Sequence, residues 1–374
     1  MSGYFLYHSI GTFKGKQACV TEALARFAEV WSAEDDQQWP LVLAERQRFV
    51  EAWERLIEAP KGSLTTAENV TTALFSLIGG LPDGHLRNKR VLVAADCFPS
   101  LHFLLAKLSN RFGFTLHTVP LRPGETWVRD EDMLAHWGSD VGLALLTLVS
   151  STTSHRCDVE CLAAHGRTMG SIVVVDITQS VGIVPFSVAA LPVDVVVSTS
   201  LKWLCGTSGA GVLYVQPDLL KRCEPELRGW FSQDNPFSWD LDAFHYADDA
   251  RRFDHGTPAV LASIASLPGL QWVEETGIEA VAAQNRVLTE RLVAMAQENN
   301  WTLASPLDPA KRGGSVMITL PDHAHPVELV ADLRKRALYA DVRGSTLRLS
   351  PGNVTTLDDV AALEDALKSN LRKP

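Results

Sequence analysis

Short apolar runs rich in β-branched residues recur through the first two thirds of the chain, with helical stretches between them. The predicted strands fall at residues 91–95, 115–119, 142–149, 172–175, 193–198 and 211–215. Helical patterns lie between them at residues 100–110, 130–137 and 158–169. Strands that are apolar throughout and are separated by helices form a parallel or mixed sheet that helices cover on both faces. The sequence therefore predicts an α/β protein.

The two ends of the chain follow other patterns. Residues 16–58 repeat apolar positions three and four apart, which predicts helix. Hydroxyl residues from Ser63 onward, with Glu68 close behind, predict the start of a further helix that runs to Ile78. After about residue 260 we predict a smaller α+β domain, with elements at residues 274–299, 315–320, 326–337, 346–349 and 356–370. Because the chain is too long for one compact core, we predict a helical N-terminal segment that joins the small domain and the active site, then a large domain and a small domain, at residues 1–60, 61–258 and 259–374.

Charge and composition argue against several classes of partner. The formal net charge is −10, and no Lys/Arg run is present to follow a phosphate backbone, so nucleic acid is not expected as a partner. The N-terminus lacks a signal-peptide pattern, and no apolar run reaches the roughly 18 residues of a membrane span. We expect a cytoplasmic protein without a membrane partner.

The six cysteines show no regular spacing and no CxxC pair. They lie at residues 19, 97, 157, 161, 205 and 223. This usage predicts reduced thiols rather than disulfides, and it matches no common zinc motif, so no metal is expected.

Unusual polar residues follow two of the predicted strands. The strand at 172–175 ends at Asp176, with Gln179 three residues on, and the strand at 193–198 leads to Lys202. Because open α/β sheets bind ligands at the carboxyl ends of their strands, Asp176 and Lys202 are expected to share one crevice. Burial lowers the pKa of such a lysine and favours an imine with an aldehyde, while a pyridine-type cofactor needs an anion beside its ring nitrogen. Asp176 can supply that anion, and Gln179 can donate to the ring oxygen. Singly, a strand-ending acid and a surface lysine would be ordinary.

A nucleotide-binding protein is the rival interpretation of the glycines at residues 206, 209 and 211. A P-loop places its lysine after the glycines, whereas Lys202 precedes them here, and no GxGxxG follows the strand at 91–95. This alternative predicts a protein that is colourless when purified.

Four segments resemble the class V aminotransferase superfamily over nearly the whole chain. They are VDITQSVG at 175–182, STSLKWLCG at 198–206, GTP at 256–258 and RLSP at 348–351. The resemblance implies an aspartate-aminotransferase-like fold (fold type I), with a mixed, mostly parallel sheet and a smaller α+β domain. It also implies pyridoxal 5'-phosphate as the cofactor, held as an imine by Lys202 and paired at its ring nitrogen with Asp176.

Within that superfamily the chain is most similar to kynureninases, through SIG at 9–11, FPS at 98–100 and GWF at 229–231. The resemblance implies that Phe98 stacks on the cofactor ring, that Arg348 binds the substrate carboxylate and that Ser9 also binds the substrate. The remaining cofactor contacts that it implies are Asn69, Val70, Thr71, Thr153 and Ser200, completed by Thr257 or Trp230 from a neighbouring subunit. We therefore expect a homodimer with shared active sites and an amino-acid substrate.

Plain alternatives to these roles stay open at this point. Phe98 could be a core aromatic residue at a turn, and Asn69 and Thr71 could merely cap a helix. Arg348 could pair with Asp341, which would leave Arg343 to bind the carboxylate.

Several positions depart from the kynureninase pattern. Leu201 stands where kynureninases carry a tyrosine, Gln179 replaces a histidine, His8 replaces an asparagine, and Val354 replaces a common tyrosine. The segment at 150–155 also lacks the usual Asn/Tyr-Thr-Gly residues. These departures leave the cofactor prediction intact and the reaction open.

Three functions are compatible with this sequence pattern. The first is kynureninase-like hydrolytic Cβ–Cγ cleavage through an external aldimine, and the second is transfer of the amino group to a keto acid. The third is an inactive binding protein with a pyridoxal-phosphate fold. A cysteine desulfurase is excluded, because those enzymes need a cysteine in the C-terminal third and none follows Cys223.

Overall fold

The computed structural model describes residues 3–371 of the chain. Its strands are β1 (Gly3–Tyr4), β2 (Leu64–Ala67), β3 (Arg90–Ala94), β4 (Thr115–Val119), β5 (Val141–Thr147), β6 (Ile172–Asp176), β7 (Val195–Thr199), β8 (Gly211–Val215), β9 (Thr302–Leu303), β10 (Val316–Thr319), β11 (Leu338–Tyr339), β12 (Asp341–Arg343) and β13 (Thr346–Leu349). Its α-helices are α1 (Lys16–Trp31), α2 (Gln38–Leu56), α3 (Val70–Ile78), α4 (Pro99–Phe112), α5 (Asp130–Ala135), α6 (Val159–Met169), α7 (Pro217–Leu220), α8 (Val260–Thr276), α9 (Ile278–Glu298), α10 (Pro326–Lys335) and α11 (Leu357–Leu371). None of the helices in this described part combines the length and apolar character that crossing a membrane requires.

A seven-stranded sheet forms the centre of the large region, in the order β2-β8-β7-β6-β5-β3-β4. Every strand runs in the same direction except β8, which pairs antiparallel with both of its neighbours. Strands β6, β7 and β8 are buried along their whole length, and separate apolar clusters cover the two faces of the sheet. The structure thus confirms the mixed, mostly parallel sheet with helices on both faces.

The segment before α3 corrects one expectation. The residues from Ser63 to Glu68 were expected to begin a helix, but they contain the edge strand β2, which pairs with β8. Thr65 and Thr66 are β-branched and fit an edge strand, and the Arg46 guanidinium donates to both of their hydroxyl groups. Tertiary pairing therefore outweighs the local capping pattern.

Two long helices predicted from periodicity are interrupted. The stretch 16–58 divides into α1 and α2, because the acidic turn between them bonds to its own backbone: Gln37 N–H donates to Asp35 Oδ1 at 2.9 Å. The predicted helix at 274–299 is made of the end of α8 and all of α9. They meet at Gly277, whose φ of 82° no regular helix accommodates.

A smaller four-stranded antiparallel sheet, in the order β12-β13-β10-β9, occupies the C-terminal region. Apolar residues of α9, α10 and α11 pack with it in one cluster. The N-terminus joins this region, since β1 pairs in parallel with β11 and Phe5 is fully buried in the same cluster. The boundaries at residues 60 and 258 remain a prediction.

The N-terminal segment then crosses to the chain around Lys202. Gly11 N–H donates to the Leu201 carbonyl at 2.9 Å, and Lys16 Nζ donates to the carbonyls of Gly11 and Gly206 at 2.8 and 3.2 Å. A Cβ atom at residue 11 would lie 1.7 Å from the Lys202 carbonyl oxygen. Only glycine lets the two backbones approach this closely.

Substituting Gly11→Ala should therefore destabilise the protein. We expect a loss of roughly 1–3 kcal/mol in the free energy of unfolding, because one of the two backbones must move to make room for the methyl group. Urea titration followed by circular dichroism measures it. Ile10→Ala is the matched control, since that side chain is 54% exposed and its loss should cost less than about 0.5 kcal/mol. Equal stabilities for Gly11→Ala and the parent protein would contradict the close approach.

Candidate active site

A cavity of about 640 Å³ lies where β5, β6 and β7 end, between the N-termini of α3 and α4. Its lining includes many of the predicted site residues, namely Asn69, Val70, Thr71, Phe98, Asp176, Gln179 and Lys202. The other lining residues include Ser151, Leu201 and Gly209, which the sequence analysis noted without giving them a contact, and residues to which it assigned no role, among them Glu68, Ser100, Thr147, Val149, Thr178, Thr199 and Ser208. The carboxyl ends of neighbouring parallel strands thus bring the predicted acid and amine into one cavity, as open α/β sheets do.

Lys202 is half-buried at this cavity, and its Nζ lies 5.6 Å from the centroid of the Phe98 ring. Burial lowers the pKa of Lys202 to about 8. The charge of Arg348 acts in the same direction, and the charge of Asp176 opposes it. A lysine with a lowered pKa carries more of the neutral amine near neutral pH, which is the form that attacks an aldehyde.

Asp176 is buried at the end of β6, and its Oδ1 accepts a hydrogen bond from Thr178 N–H at 2.9 Å. Burial raises the pKa of this carboxyl group, while the bonds from Thr178 and the charge of Lys202 oppose the rise. A carboxylate under this strong desolvation gains from any cation that binds beside it. It is therefore suited to hold a protonated ring nitrogen.

The N-terminus of α3 presents free donors to the cavity. Asn69 caps the helix: its side chain accepts from Thr72 N–H at 3.0 Å, and its own N–H donates to the Thr72 hydroxyl at 3.1 Å. Val70 and Thr71, the first two helical residues, have no hydrogen-bond acceptor for their N–H groups among the residues described. Two free N–H groups at the positive end of a helix dipole favour an anion such as phosphate.

The donor set fits pyridoxal phosphate. An amine, a buried acid, an aromatic face and an anion site line one cavity, and the buried hydroxyl oxygen of Thr147 at its wall has no hydrogen-bond partner among residues 3–371. Unpaired buried hydroxyl groups are costly unless a ligand or water satisfies them. Across residues 3–371, no group of three or more His, Cys, Asp or Glu side chains is arranged to hold a metal ion.

Three predicted contacts lie outside the cavity lining. The Ser200 hydroxyl is buried and accepts a hydrogen bond from Trp53 Nε1 at 3.1 Å. The Thr153 hydroxyl accepts from His155 N–H at 3.2 Å within its own loop, and Ser151 of that loop lines the cavity instead. Ser9 is exposed. Within this chain, therefore, Trp53 and His155 donate to the hydroxyl groups of Ser200 and Thr153, and Ser9 is exposed.

Trp230 and Thr257 also lie outside this chain's own cavity. Trp230 packs edge-to-face on Phe231, with ring centroids 4.5 Å apart, and Thr257 is exposed. The sequence predicts that one or the other acts on a neighbouring subunit, and that prediction concerns a contact between two chains.

Arg348 is buried and lies directly opposite Asp341 in the pairing of β12 with β13. Its Nε donates to Asp341 Oδ1 at 2.8 Å, its Nη2 donates to Asp341 Oδ2, and its Nη1 donates to the carbonyl of Ser151 at 3.3 Å. The pairing with Asp341 that the sequence left open is therefore formed, and it leaves Arg348 beside the cavity through Ser151. Arg343 is largely exposed, with its Nη2 3.7 Å from Asp341 Oδ2.

The N-terminal segment, which the sequence predicts to join the small domain and the active site, reaches the same place through His8, whose contacts the sequence did not indicate. His8 is buried, with Nδ1 2.7 Å from the Ser350 hydroxyl and Nε2 3.0 Å from Asp341 Oδ1. Gln179 Nε2 donates to the main-chain carbonyl of His8 at 3.1 Å. His8 and Arg348 together hold the pKa of Asp341 well below its usual range, so Asp341 is an anion.

Comparison with known proteins places this geometry in a family. The sequence model of the family described as Aminotransferase class-V matches residues 50–362. A kynureninase of Deinococcus radiodurans is 28% identical over 354 residues, which cover 86% of this chain and 83% of that protein. The uncharacterized aminotransferase YcbU of Bacillus subtilis is 24% identical over 320 residues, covering 85% and 82% of the two chains.

A solved structure shows the same fold. The cystine C-S lyase C-DES, in complex with its product cysteine persulfide, superimposes with a TM-score of 0.88 at 19% identity and covers 99% of this chain and 98% of its own. The fold-type-I architecture implied by the sequence is thereby confirmed. The family match over most of the chain, together with an amine, an acid and an anion site in one cavity, leads to one conclusion: this chain is a pyridoxal-phosphate-dependent enzyme of the aminotransferase class-V family.

Proposed function

We propose that the enzyme acts on an α-amino acid, with pyridoxal phosphate held between Lys202 and Asp176 and the substrate carboxylate bound by Arg348. The observation that carries the proposal is a lysine with a lowered pKa that lies beside an aromatic ring, in the one cavity that also contains a buried acid and the free N–H groups of α3. No single one of these features would suffice. Together they match each part of a phosphorylated aromatic aldehyde.

Each residue has a separate task in this proposal. Lys202 binds the aldehyde carbon and, once an amino acid has replaced it there, its free amine moves the proton at the substrate Cα. Asp176 keeps a proton on the ring nitrogen, and the N–H groups of Val70 and Thr71 hold the phosphate. The bound cofactor supplies an electron-withdrawing ring that stabilises negative charge at Cα.

Arg348 suits the carboxylate role because of its free donors. Asp341 occupies the guanidinium edge formed by Nε and Nη2. A guanidinium has five N–H groups, so its Nη1/Nη2 edge can still make a two-pronged bond to a second carboxylate. The Ser151 contact shows that Nη1 lies at the cavity wall.

Substitution of Lys202 and Asp176 tests the cofactor site. Lys202→Ala should remove the visible absorption band of the bound cofactor, because no amine remains at the aldehyde. Asp176→Asn should keep a band and lower turnover by about 10²-fold or more, because the ring nitrogen loses its counter-charge. Absorption spectra and steady-state rates measure both effects. Lys221→Ala, at a lysine whose side chain is 71% exposed, is the control and should behave as the parent enzyme; a Lys202→Ala spectrum equal to the parent's would overturn the assignment.

For the reaction itself we propose kynureninase-type cleavage, in which water adds to a side-chain γ-carbonyl and the Cβ–Cγ bond breaks. The support is the likeness to the Deinococcus kynureninase over more than four fifths of both chains, together with the kynureninase-like segments at 98–100 and 229–231. Amino transfer to a keto acid is the second candidate. Leu201 favours it, since this residue lines the cavity without the tyrosine hydroxyl that kynureninases carry beside the lysine.

Incubation with L-kynurenine separates the two reactions. Cleavage should release anthranilate and alanine in equal amounts, detected by the fluorescence of anthranilate and by chromatography. Amino transfer should instead convert the cofactor to its pyridoxamine form, detected by a shift of the absorption band. Lys202→Ala serves as the control for uncatalysed breakdown. If the enzyme produces neither anthranilate nor the pyridoxamine form, the kynurenine assignment fails for both candidates.

We also propose a homodimer in which Thr257 or Trp230 of the partner subunit completes the phosphate site. Neither residue reaches the cavity of its own chain, Thr257 is exposed, and Phe98 at the cavity is 42% exposed. Light scattering at about micromolar concentration should give the mass of a dimer, because a shared site needs both chains. Cofactor affinity should fall in Thr257→Val, which loses only the hydroxyl. A monomer that binds the cofactor fully would contradict the proposal.

A further inference from the structure

His8, Asp341 and Arg348 form a continuous buried chain of contacts from the N-terminal segment to the active-site cavity. Asp341 Oδ1 lies 3.0 Å from His8 Nε2, a buried nitrogen that makes no well-aligned hydrogen bond to any of the residues described. The same carboxylate makes the two-pronged bond to Arg348, whose Nη1 reaches Ser151 at the cavity wall. The Asp341 carboxylate therefore links His8 of the N-terminal segment to Arg348.

Binding of a substrate carboxylate would leave the charges of His8, Asp341 and Arg348 unbalanced. The charged side chains that act on His8 are Asp341, Arg348 and Lys202, of which Arg348 and Lys202 oppose its protonation and Asp341 favours it. With His8 neutral, Asp341 cancels the charge of Arg348. A substrate carboxylate docked on Arg348 then adds one uncompensated negative charge to a buried site, which is costly at low dielectric. A proton on His8 would remove that imbalance.

The hydroxyl groups next to His8 can form hydrogen bonds with either protonation state of its Nδ1 atom. His8 Nδ1 lies 2.7 Å from Ser350 Oγ, and Ser350 Oγ lies 2.6 Å from Ser315 Oγ, with either serine able to donate. When Nδ1 is unprotonated, the Ser350 hydroxyl donates to it. When Nδ1 is protonated it donates to Ser350, whose hydroxyl turns to Ser315. Both protonation states are hydrogen-bonded without movement of a heavy atom.

We propose that His8, Asp341 and Arg348 act as one proton-coupled carboxylate site, in which binding of a substrate carboxylate to Arg348 is accompanied by protonation of His8 at Nδ1. The proposal rests on the proposed role of Arg348, and it makes His8 and Asp341 positioning residues. It also assigns a purpose to a histidine that stands where the similar N-terminal motif of kynureninases has asparagine.

The direction of the pH dependence follows from linkage. Burial and the neighbouring cations lower the pKa of His8 in the free enzyme, and the docked carboxylate raises it in the complex. The free enzyme therefore takes up a proton on binding at pH values between the two pKa values. Affinity for the carboxylate is therefore greatest below the pKa of the free enzyme, falls as the pH rises from that pKa to the pKa of the complex, and is constant above it.

The experiment compares L-alanine with ethylamine, which is alanine without its carboxylate. Dissociation constants are measured on the holoenzyme from the change in cofactor absorption, from about pH 5.5 to pH 8. Both ligands carry a protonated amine over this range, so the ratio of the ethylamine constant to the alanine constant isolates the carboxylate. In the parent enzyme this ratio should fall with rising pH, by up to about tenfold per pH unit for one coupled proton.

Substitutions at two histidines and at Arg348 decide the outcome. In His8→Asn the ratio should become independent of pH, whereas His325→Asn, at an exposed histidine before α10, should keep the slope of the parent. A slope that persists in His8→Asn, or a ratio that is independent of pH in the parent, would overturn the coupling. Arg348→Lys should lower the ratio roughly 10- to 100-fold, because the two-pronged bond is lost. If Arg348→Lys leaves the ratio unchanged, the proposed carboxylate role fails instead.

Discussion

The burial of one lysine amine opposite one buried carboxylate is the interaction on which the rest of the site depends. Burial lowers the pKa of Lys202 and raises that of Asp176. The neutral amine is therefore suited to bind an aldehyde, and the buried carboxylate is stabilised by a protonated ring nitrogen beside it. The parallel pairing of β6 with β7 sets the two positions, since Asp176 lies opposite Val197 and Lys202 follows shortly after. The antiparallel strand β8 then returns the chain alongside β7.

Much of this arrangement could be predicted from local sequence. The strands are uninterrupted runs of apolar residues, which predict a sheet that is buried on both faces. Polar residues directly after two of these strands indicate the site. The edge strand β2 could not be predicted in this way, because its threonines fit a helix cap as well as a strand and only the pairing with β8 decides between them. The partner of Ser200 could not be predicted from local sequence either, since Trp53, whose ring nitrogen donates to the Ser200 hydroxyl, lies 147 residues away.

The carboxylate end of the site is assembled from the two ends of the chain. Phe5 packs in the core of the C-terminal region, whereas Tyr7 and Phe13 pack in the core on one face of the large sheet. His8 lies between them and meets Asp341 and Ser350, which are more than 300 residues away in sequence. No periodicity or spacing reports such a contact. The N-terminal segment thus connects the two cores and also sets the environment of Arg348, so the carboxylate role that we propose for Arg348 depends on the packing of the N-terminus.

Chemical trapping tests the position of the cofactor most directly. Borohydride reduces the imine between the cofactor and its lysine to a stable amine, and peptide mapping by mass spectrometry then locates the phosphopyridoxyl group. The structure predicts that this group lies on Lys202, in the peptide that also contains Trp203, and that reduction abolishes activity. A phosphopyridoxyl group on any other lysine, or none on Lys202 in the yellow holoenzyme, would contradict the assignment of the site.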